Sequence, residues 1–399
     1  MYAKDHLLFP SGGRSNYRIP SIVAANDGTV AAFCNDRKDS LLDHAEEVAL
    51  VCALKKPGQG WGPIRTLAGI PGWSCMIGSA VYDAISDTIF CSSGCNPMAR
   101  REFAKFSEEE LAAMEAEAEK RANAAGIRKG PFLMVSNDGG ESWTRRPFHV
   151  ESRPFIRPAD GKEILIDGFC HGSAHGIQLR HGPNRGRLLC PSRIAVDQYD
   201  TWEGLRTCSY NNAVYSDDHG LTWKAGAPVQ PGTGEGALME RGDGTILYNS
   251  RAYFSDRKRY LAVSHDGGET FGGFHTDDFL LEEEALGCNA SLLRVEREDL
   301  PENMQSLLPA GADSVTVFVN PRAKIRTTLT VCVSFDGGET WSKTKLIWKD
   351  ACAYTSLDYC KADGHFYLLY ERGDDAPYEH GIALLEFDLE WLLSGSVEC

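Results

Sequence analysis

Residues 334–341 read SFDGGETW, and the same skeleton occurs three more times: SNDGGESW at 136–143, SDDHGLTW at 216–223 and SHDGGETF at 264–271. The shared pattern is S-x-D-x-G-x-[ST]-[WF], and each copy follows a short apolar stretch such as LMV, AVY, LAV or VCV. This chemistry suits a β-hairpin turn. The Asp carboxylate accepts backbone N–H groups, Gly takes positive φ, and the Ser and Thr hydroxyls add local bonds. The closing aromatic tucks under the hairpin. Copies start 80, 48 and 70 residues apart, room for one four-stranded sheet each, which predicts a β-propeller. A degenerate fifth copy is visible in ALKKPGQGWG (53–62), where Gly60 and Trp61 persist without the Asp. The four Asp residues are read as turn stabilisers. A calcium loop is excluded because the D-x-[DN]-x-[DN]-G-x5-E ligand series is missing.

The whole chain, residues 1–399, is expected to form one such domain, an all-β assembly with a large core: 42% of residues are hydrophobic, with 40 glycines and eight tryptophans. A formal charge of −15 argues against nucleic acid or an anionic membrane as partner, while clustered arginines still allow a small anionic substrate. No run approaches a membrane span. The 13 cysteines lack disulfide-scaffold spacing, and Cys91–Cys95 is a weak metal or redox pair, so reduced, buried thiols are expected. The first residues, MYAKDHLLFPSGG, hold no apolar region of signal-peptide length. A cytoplasmic location is expected, or a secreted one if a leader has been removed.

One stretch, SEEELAAMEAEAEKRANAAG (107–126), departs from the β pattern. Ser107 and Glu110 form a capping box, Gly126 is a stop, and Leu111, Met114 and Ala118 make a thin apolar stripe. This predicts a short helical insertion within about 99–130, lying on the surface or on a subunit contact or pocket rim.

Three arginines sit in apolar, strand-like settings where a guanidinium needs partners. They are Arg18 in YRIPS, Arg251 ending TILYNSR, and Arg326 heading RTTLTVCVS. Glu235 lies in the glycine-lined GTGEG, Tyr354 in ACAYTSL and Glu371 at the end of FYLLYERG. In this order, threaded on four Asp boxes, YRIP, NSR, the Arg of RTTLTVCVS, YTSL and LLYE resemble the motifs of the retaining exo-sialidase (neuraminidase) family from about residue 14 to 373. The resemblance implies a six-bladed β-propeller that hydrolyses terminal α-linked sialic acids of glycans, with no metal or organic cofactor.

On that resemblance Arg18, Arg251 and Arg326 grip the substrate carboxylate, Glu371 supports Arg18, and Arg37 lines the site. Bidentate Arg–carboxylate pairing gives this clamp its physical basis. Tyr354 is the implied nucleophile: an anionic carboxylate would approach the carboxylate-bearing anomeric carbon against repulsion, and a phenol does not. Its pKa near 10 demands a base and a cationic setting. Glu235 supplies the base, and the arginines are expected to favour phenolate. The acid/base falls in FCNDRKDSLLDHAEEVAL, where Asp39 and Asp43 both qualify and Asp43 is preferred for its place six residues beyond Arg37. Two departures stand out: Gly234 replaces the family's usual Asn before the base, and the acid loop matches imperfectly. They keep open a glycosidase for a related 2-keto acid sugar such as the deaminated sialic acid KDN, or a non-catalytic acidic-sugar binder. His171 and His175 stand at i, i+4, but flanking glycines argue against a zinc-binding helix, and for His175 a structural role is favoured over the pocket-rim contact that the resemblance suggests. Trp73, Met76, Trp202 and Tyr253 are candidate apolar walls.

Overall fold

A computed structural model describes residues 1–41, 47–97, 107–124, 129–158, 160–169, 174–196 and 202–398. Asp43, His171 and Gly126 lie outside them. The chain is dominated by antiparallel meanders, as the turn repeats require. Thr233–Glu240, Ile246–Ala252, Lys258–Ser264 and Gly272–Leu281 follow one another across one sheet. The same up-and-down order recurs along the chain, and the long strand Lys343–Cys360 joins two such sets. Its first half pairs with Thr327–Ser334 and its second with His365–Arg372. The N-terminal strand Ala3–Pro10 pairs with the late strand Gly381–Phe387, so the two ends of the chain share a sheet.

Every Asp box connects two antiparallel neighbours of one sheet, as in Lys258–Ser264 to Gly272–Leu281. Within the last copy, Ser334 Oγ donates to Asp336 Oδ1 (2.7 Å) and accepts Gly338 N (2.9 Å). Asp336 also accepts Thr340 N at 2.9 Å and Thr340 Oγ1 at 2.5 Å. Gly337 and Gly338 have φ of 73° and 83°, a region costly for residues with a Cβ. Trp341 packs on Phe318 with ring centroids 5.8 Å apart. In SDDHGLTW the first of these positive-φ positions is His219 (φ 60°), held by its Nδ1 2.8 Å from the buried Asp83. The fifth, Asp-less copy is also a turn between strands, with Lys55 bridged to Trp61.

These turns carry a pH signature. Hydrogen bonds from Ser142 and Ser136 hold the Asp138 carboxyl at about 2. In Asp218, Asp266 and Asp336 burial pushes the pKa up, but bonds from the Thr and Ser hydroxyls and turn amides outweigh it and leave it lowered. A carboxyl depressed in the fold stabilises it above the unfolded value near 4, and that contribution is lost as pH falls through the folded value. Asp336→Asn keeps one acceptor oxygen and loses the other, so it should destabilise by about 1 kcal/mol at pH 7. The gap from the parent protein should shrink in denaturant titrations at pH 3.

The cysteine expectation needs one correction. Cys75 and Cys95 lie directly opposite each other on the paired strands Trp73–Asp83 and Thr88–Pro97, Cα atoms 4.2 Å apart, and form a disulfide. Cross-strand register brings together two residues that sequence spacing keeps 20 apart. Nine other described cysteines are thiols outside any disulfide, eight of them buried.

The helix spans Glu108–Ala124 and is capped as expected: Ser107 N donates to Glu110 Oε2 (2.7 Å), and Glu110 N to Ser107 Oγ (3.2 Å). Among its described side chains Met114 is half-buried, and Ala118, expected in the apolar stripe, is buried together with Ala122. These small residues let the helix approach Gly72, with Arg121 Nη2 bonded to Pro71 O (3.0 Å). Among the described residues no helix is long and apolar enough to cross a membrane.

Candidate active site

Six chain segments deliver the candidate residues, and those carrying Arg18, Glu235, Tyr354 and Arg326 are irregular where they do so. The pairing register shifts between Arg18 and Ser21, between Thr233 and Gly236 around Glu235, between Cys352 and Thr355 around Tyr354, and between Thr327 and Leu329 just past Arg326. A bulge turns a side chain out of the pleat's alternation, which re-aims it toward a site. At the first bulge Ile19 has φ 61°, a strained conformation for a β-branched residue that costs about 1–3 kcal/mol.

Glu371 holds that strain in place. Fully buried, it accepts Arg18 Nε at 2.7 Å and Nη2 at 3.2 Å, Ile19 N at 2.9 Å and Tyr354 N at 3.1 Å. One carboxylate thus ties the Arg18 guanidinium and its strained neighbour to the backbone of Tyr354. The side of Arg18 faces Tyr378, whose ring centre lies 4.0 Å from its guanidinium carbon.

At the centre, Tyr354 Oη donates to Glu235 Oε1 (2.8 Å) and accepts Arg251 Nη1 (2.8 Å), which also bonds Glu235 Oε2 (2.5 Å). The guanidinium carbons of Arg18, Arg251 and Arg326 lie 5.5, 5.9 and 5.7 Å from the centre of the Tyr354 ring. The three arginines, Glu235, Tyr354 and Glu371 are therefore one cluster, as the sequence reading placed them. Its protonation differs from that reading. Burial pushes the Tyr354 hydroxyl well above the usual phenol range; Arg251 and Arg326 pull it down without overcoming burial. Tyr354 is a neutral phenol with its proton directed at a carboxylate.

Arg37 is fully buried, and its Nη1 donates to Leu41 O at 2.7 Å. Asp39 is exposed at φ 56°, and Arg14 bonds it at 2.8 Å and holds its carboxyl below the usual range, the opposite of what a general acid needs. His175 is buried, and burial lowers its pKa against the pull of Asp358. Trp73 belongs to the core. Among the described residues one grouping, Asp363, His365 and Glu386, has donor atoms close enough for a cation. There Asp363 already bonds Lys55 Nζ (3.1 Å) and Tyr367 Oη (2.6 Å).

Sequence reasoning missed the segment 282–289, which reads as an acidic surface run. Its backbone carbonyls hold two of the arginines: Arg251 Nε donates to Leu286 O (2.8 Å) and Arg326 Nη2 to Gly287 O (3.2 Å). Behind it the fully buried Arg259 pairs with Glu282 at 2.5 Å, and Glu282 accepts Ala252 N at 3.1 Å, beside Arg251. Gly287 has φ 63°, and a Cβ there would meet Glu282 Oε1 at 2.6 Å.

Repeated Asp-box sheets around a buried arginine–tyrosine cluster define the class, and residues 111–368 match the model of the BNR repeat-like domain. The chain is 29% identical over 399 residues to the sialidase of Micromonospora viridifaciens, spanning 95% of this chain and 52% of that protein. It is 28% identical to human sialidase-4 over 69% of this chain and 54% of the relative. The fold is that of the NanB sialidase from Streptococcus pneumoniae, with a TM-score of 0.69 at 15% identity over 97% of this chain and 71% of that one. The chain belongs to the sialidase family with BNR, or Asp-box, repeats. It spans about half the length of the first two relatives.

Proposed function

We propose that this chain is a retaining exo-α-sialidase on a six-bladed β-propeller. The observation that carries the reading is the Tyr354–Glu235–Arg251 hydrogen-bonded triangle with Arg18 and Arg326 against the same ring. Six blades are supported by the recurring Asp-box turns between antiparallel strands and by the shared sheet of the two chain ends.

Arg18, Arg251 and Arg326 bind the sugar carboxylate and fix the anomeric carbon over Tyr354. Tyr354 Oη attacks that carbon while Glu235 takes the phenol proton, and the glycosidic C–O bond breaks. Asp43 gives its proton to the departing oxygen. In the second half Asp43 takes a proton from water, whose oxygen attacks the same carbon; the tyrosyl bond breaks and Glu235 returns the proton to Tyr354. Two inversions give net retention. Since Tyr354 is neutral before attack, proton transfer to Glu235 accompanies bond formation rather than preceding it.

The test is a fluorogenic α-ketoside of N-acetylneuraminic acid beside its deaminated counterpart, with the first-formed sugar followed by proton NMR. Hydrolysis with the α-anomer appearing first is expected. Inversion would refute the tyrosyl route, and no hydrolysis of either glycoside would leave an acidic-sugar binder.

A further inference from the structure

Arg37, Arg251 and Glu371 are each the penultimate residue of their strands, Val30–Lys38, Ile246–Ala252 and His365–Arg372. The strand Leu188–Ala195 likewise carries an arginine near its end, Arg193, two residues from the last. Arg193 is half-buried, and its Nη1 donates to Tyr253 Oη at 3.2 Å.

Tyr253 is itself fixed at the site. It is buried, its backbone N bonds Gly232 O (2.9 Å), and its ring centre lies 5.3 Å from the Arg251 guanidinium carbon. A Cβ on Gly234 would come within 2.1 Å of Tyr253 Oη. The phenol thus fills the side-chain space at position 234, next to Glu235, and a larger residue there would expel it. Gly234 and Tyr253 are complementary, and the Tyr253 hydroxyl that fills position 234, one residue along the chain from Glu235, also holds the Arg193 guanidinium.

We propose that Arg193 is a substrate-binding residue that recognises a neutral oxygen acceptor on the sugar, distinct from its carboxylate, with Tyr253 as its positioning residue. The inference rests on the proposed acidic-sugar site. Three arginine forks already match the acceptor capacity of one carboxylate. A fourth guanidinium, permanently charged and rich in donors, suits a hydroxyl or an acyl carbonyl oxygen elsewhere on the same ring. It makes this wall of the site donor-rich where an apolar wall would suit a methyl group.

The test compares Arg193→Met, Arg193→Lys and Tyr253→Phe with the parent on α-ketosides bearing an acetamido or a hydroxyl group at the same ring carbon. Loss of one charge-assisted hydrogen bond corresponds to roughly a tenfold or larger rise in KM. Arg193→Met should show that rise for at least one glycoside with little change in kcat, and Arg193→Lys should recover part of it. Tyr253→Phe should raise KM less, for the same glycoside. The more affected glycoside identifies the acceptor as hydroxyl or acyl oxygen. KM values within twofold of the parent for Arg193→Met on both glycosides, at equal melting temperature, would overturn the proposal. If the parent hydrolyses neither glycoside, the enzymatic reading fails, and calorimetric titration with the two free sugar acids decides the inference instead. Weaker binding by Arg193→Met supports it; equal binding, or none by the parent, overturns it.

Discussion

Tyr354→Phe is expected to lower kcat on an aryl sialoside by at least about a thousandfold, because it deletes the proposed nucleophile and nothing else. The ring that lies beside three guanidiniums is retained. So is the Arg251–Glu235 contact at 2.5 Å, and no charge is left unpaired by the change. The lost hydroxyl made two hydrogen bonds, each worth about 1 kcal/mol net. A shift of only a few degrees in melting temperature should result. KM should change little, since the carboxylate clamp is untouched. Steady-state kinetics beside a thermal melt read both quantities, and turnover near the parent's rate in a folded variant would remove Tyr354 from its proposed role.

The second large effect falls on Glu371. Its carboxylate receives four donors from Arg18, Ile19 and Tyr354. Glu371→Ala leaves the Arg18 guanidinium buried with its counter-charge removed, a loss of about 3–5 kcal/mol. It also frees the left-handed Ile19 from the bond that holds it. Arg18 and the backbone of Tyr354 then lose their common anchor, and kcat/KM should fall by at least about a hundredfold. Glu371→Gln preserves shape and one acceptor oxygen and should fall between the two. Denaturant titration measures the stability change. A loss below about 1 kcal/mol for the alanine variant would show that Arg18 is held by other means.

What the sequence revealed divides by distance along the chain. The Asp boxes were legible because Ser334, Asp336, Gly338 and Thr340 satisfy one another within seven residues, and turn chemistry is local. Arg18 and Glu371 are 353 residues apart, and only family resemblance paired them before the geometry did. Resemblance located the cluster but not its irregular backbone: no residue pattern announced the left-handed Ile19 or the bulges that aim Glu235 and Tyr354. The Glu282–Arg259 pair was hidden for another reason. Three consecutive glutamates look like a solvated surface, yet burial of Glu282 against Arg259 makes that segment the frame of two arginines. The expectation of phenolate character at Tyr354 counted nearby charges and left out desolvation, which outweighs them. Cys75–Cys95 followed from strand register alone, and Arg193 gained meaning only from its place beside Tyr253 and Gly234.

The central claim is a covalent bond between Tyr354 and the sugar. A sialyl fluoride carrying an added fluorine at carbon 3 forms the glycosyl-enzyme and slows its hydrolysis, so peptide mass spectrometry can locate the attached sugar. The account predicts one added sugar per chain, on the tyrosine of ACAYTSL, and none in Tyr354→Phe. An adduct on Glu235, or unmodified protein that still hydrolyses sialosides, would contradict it.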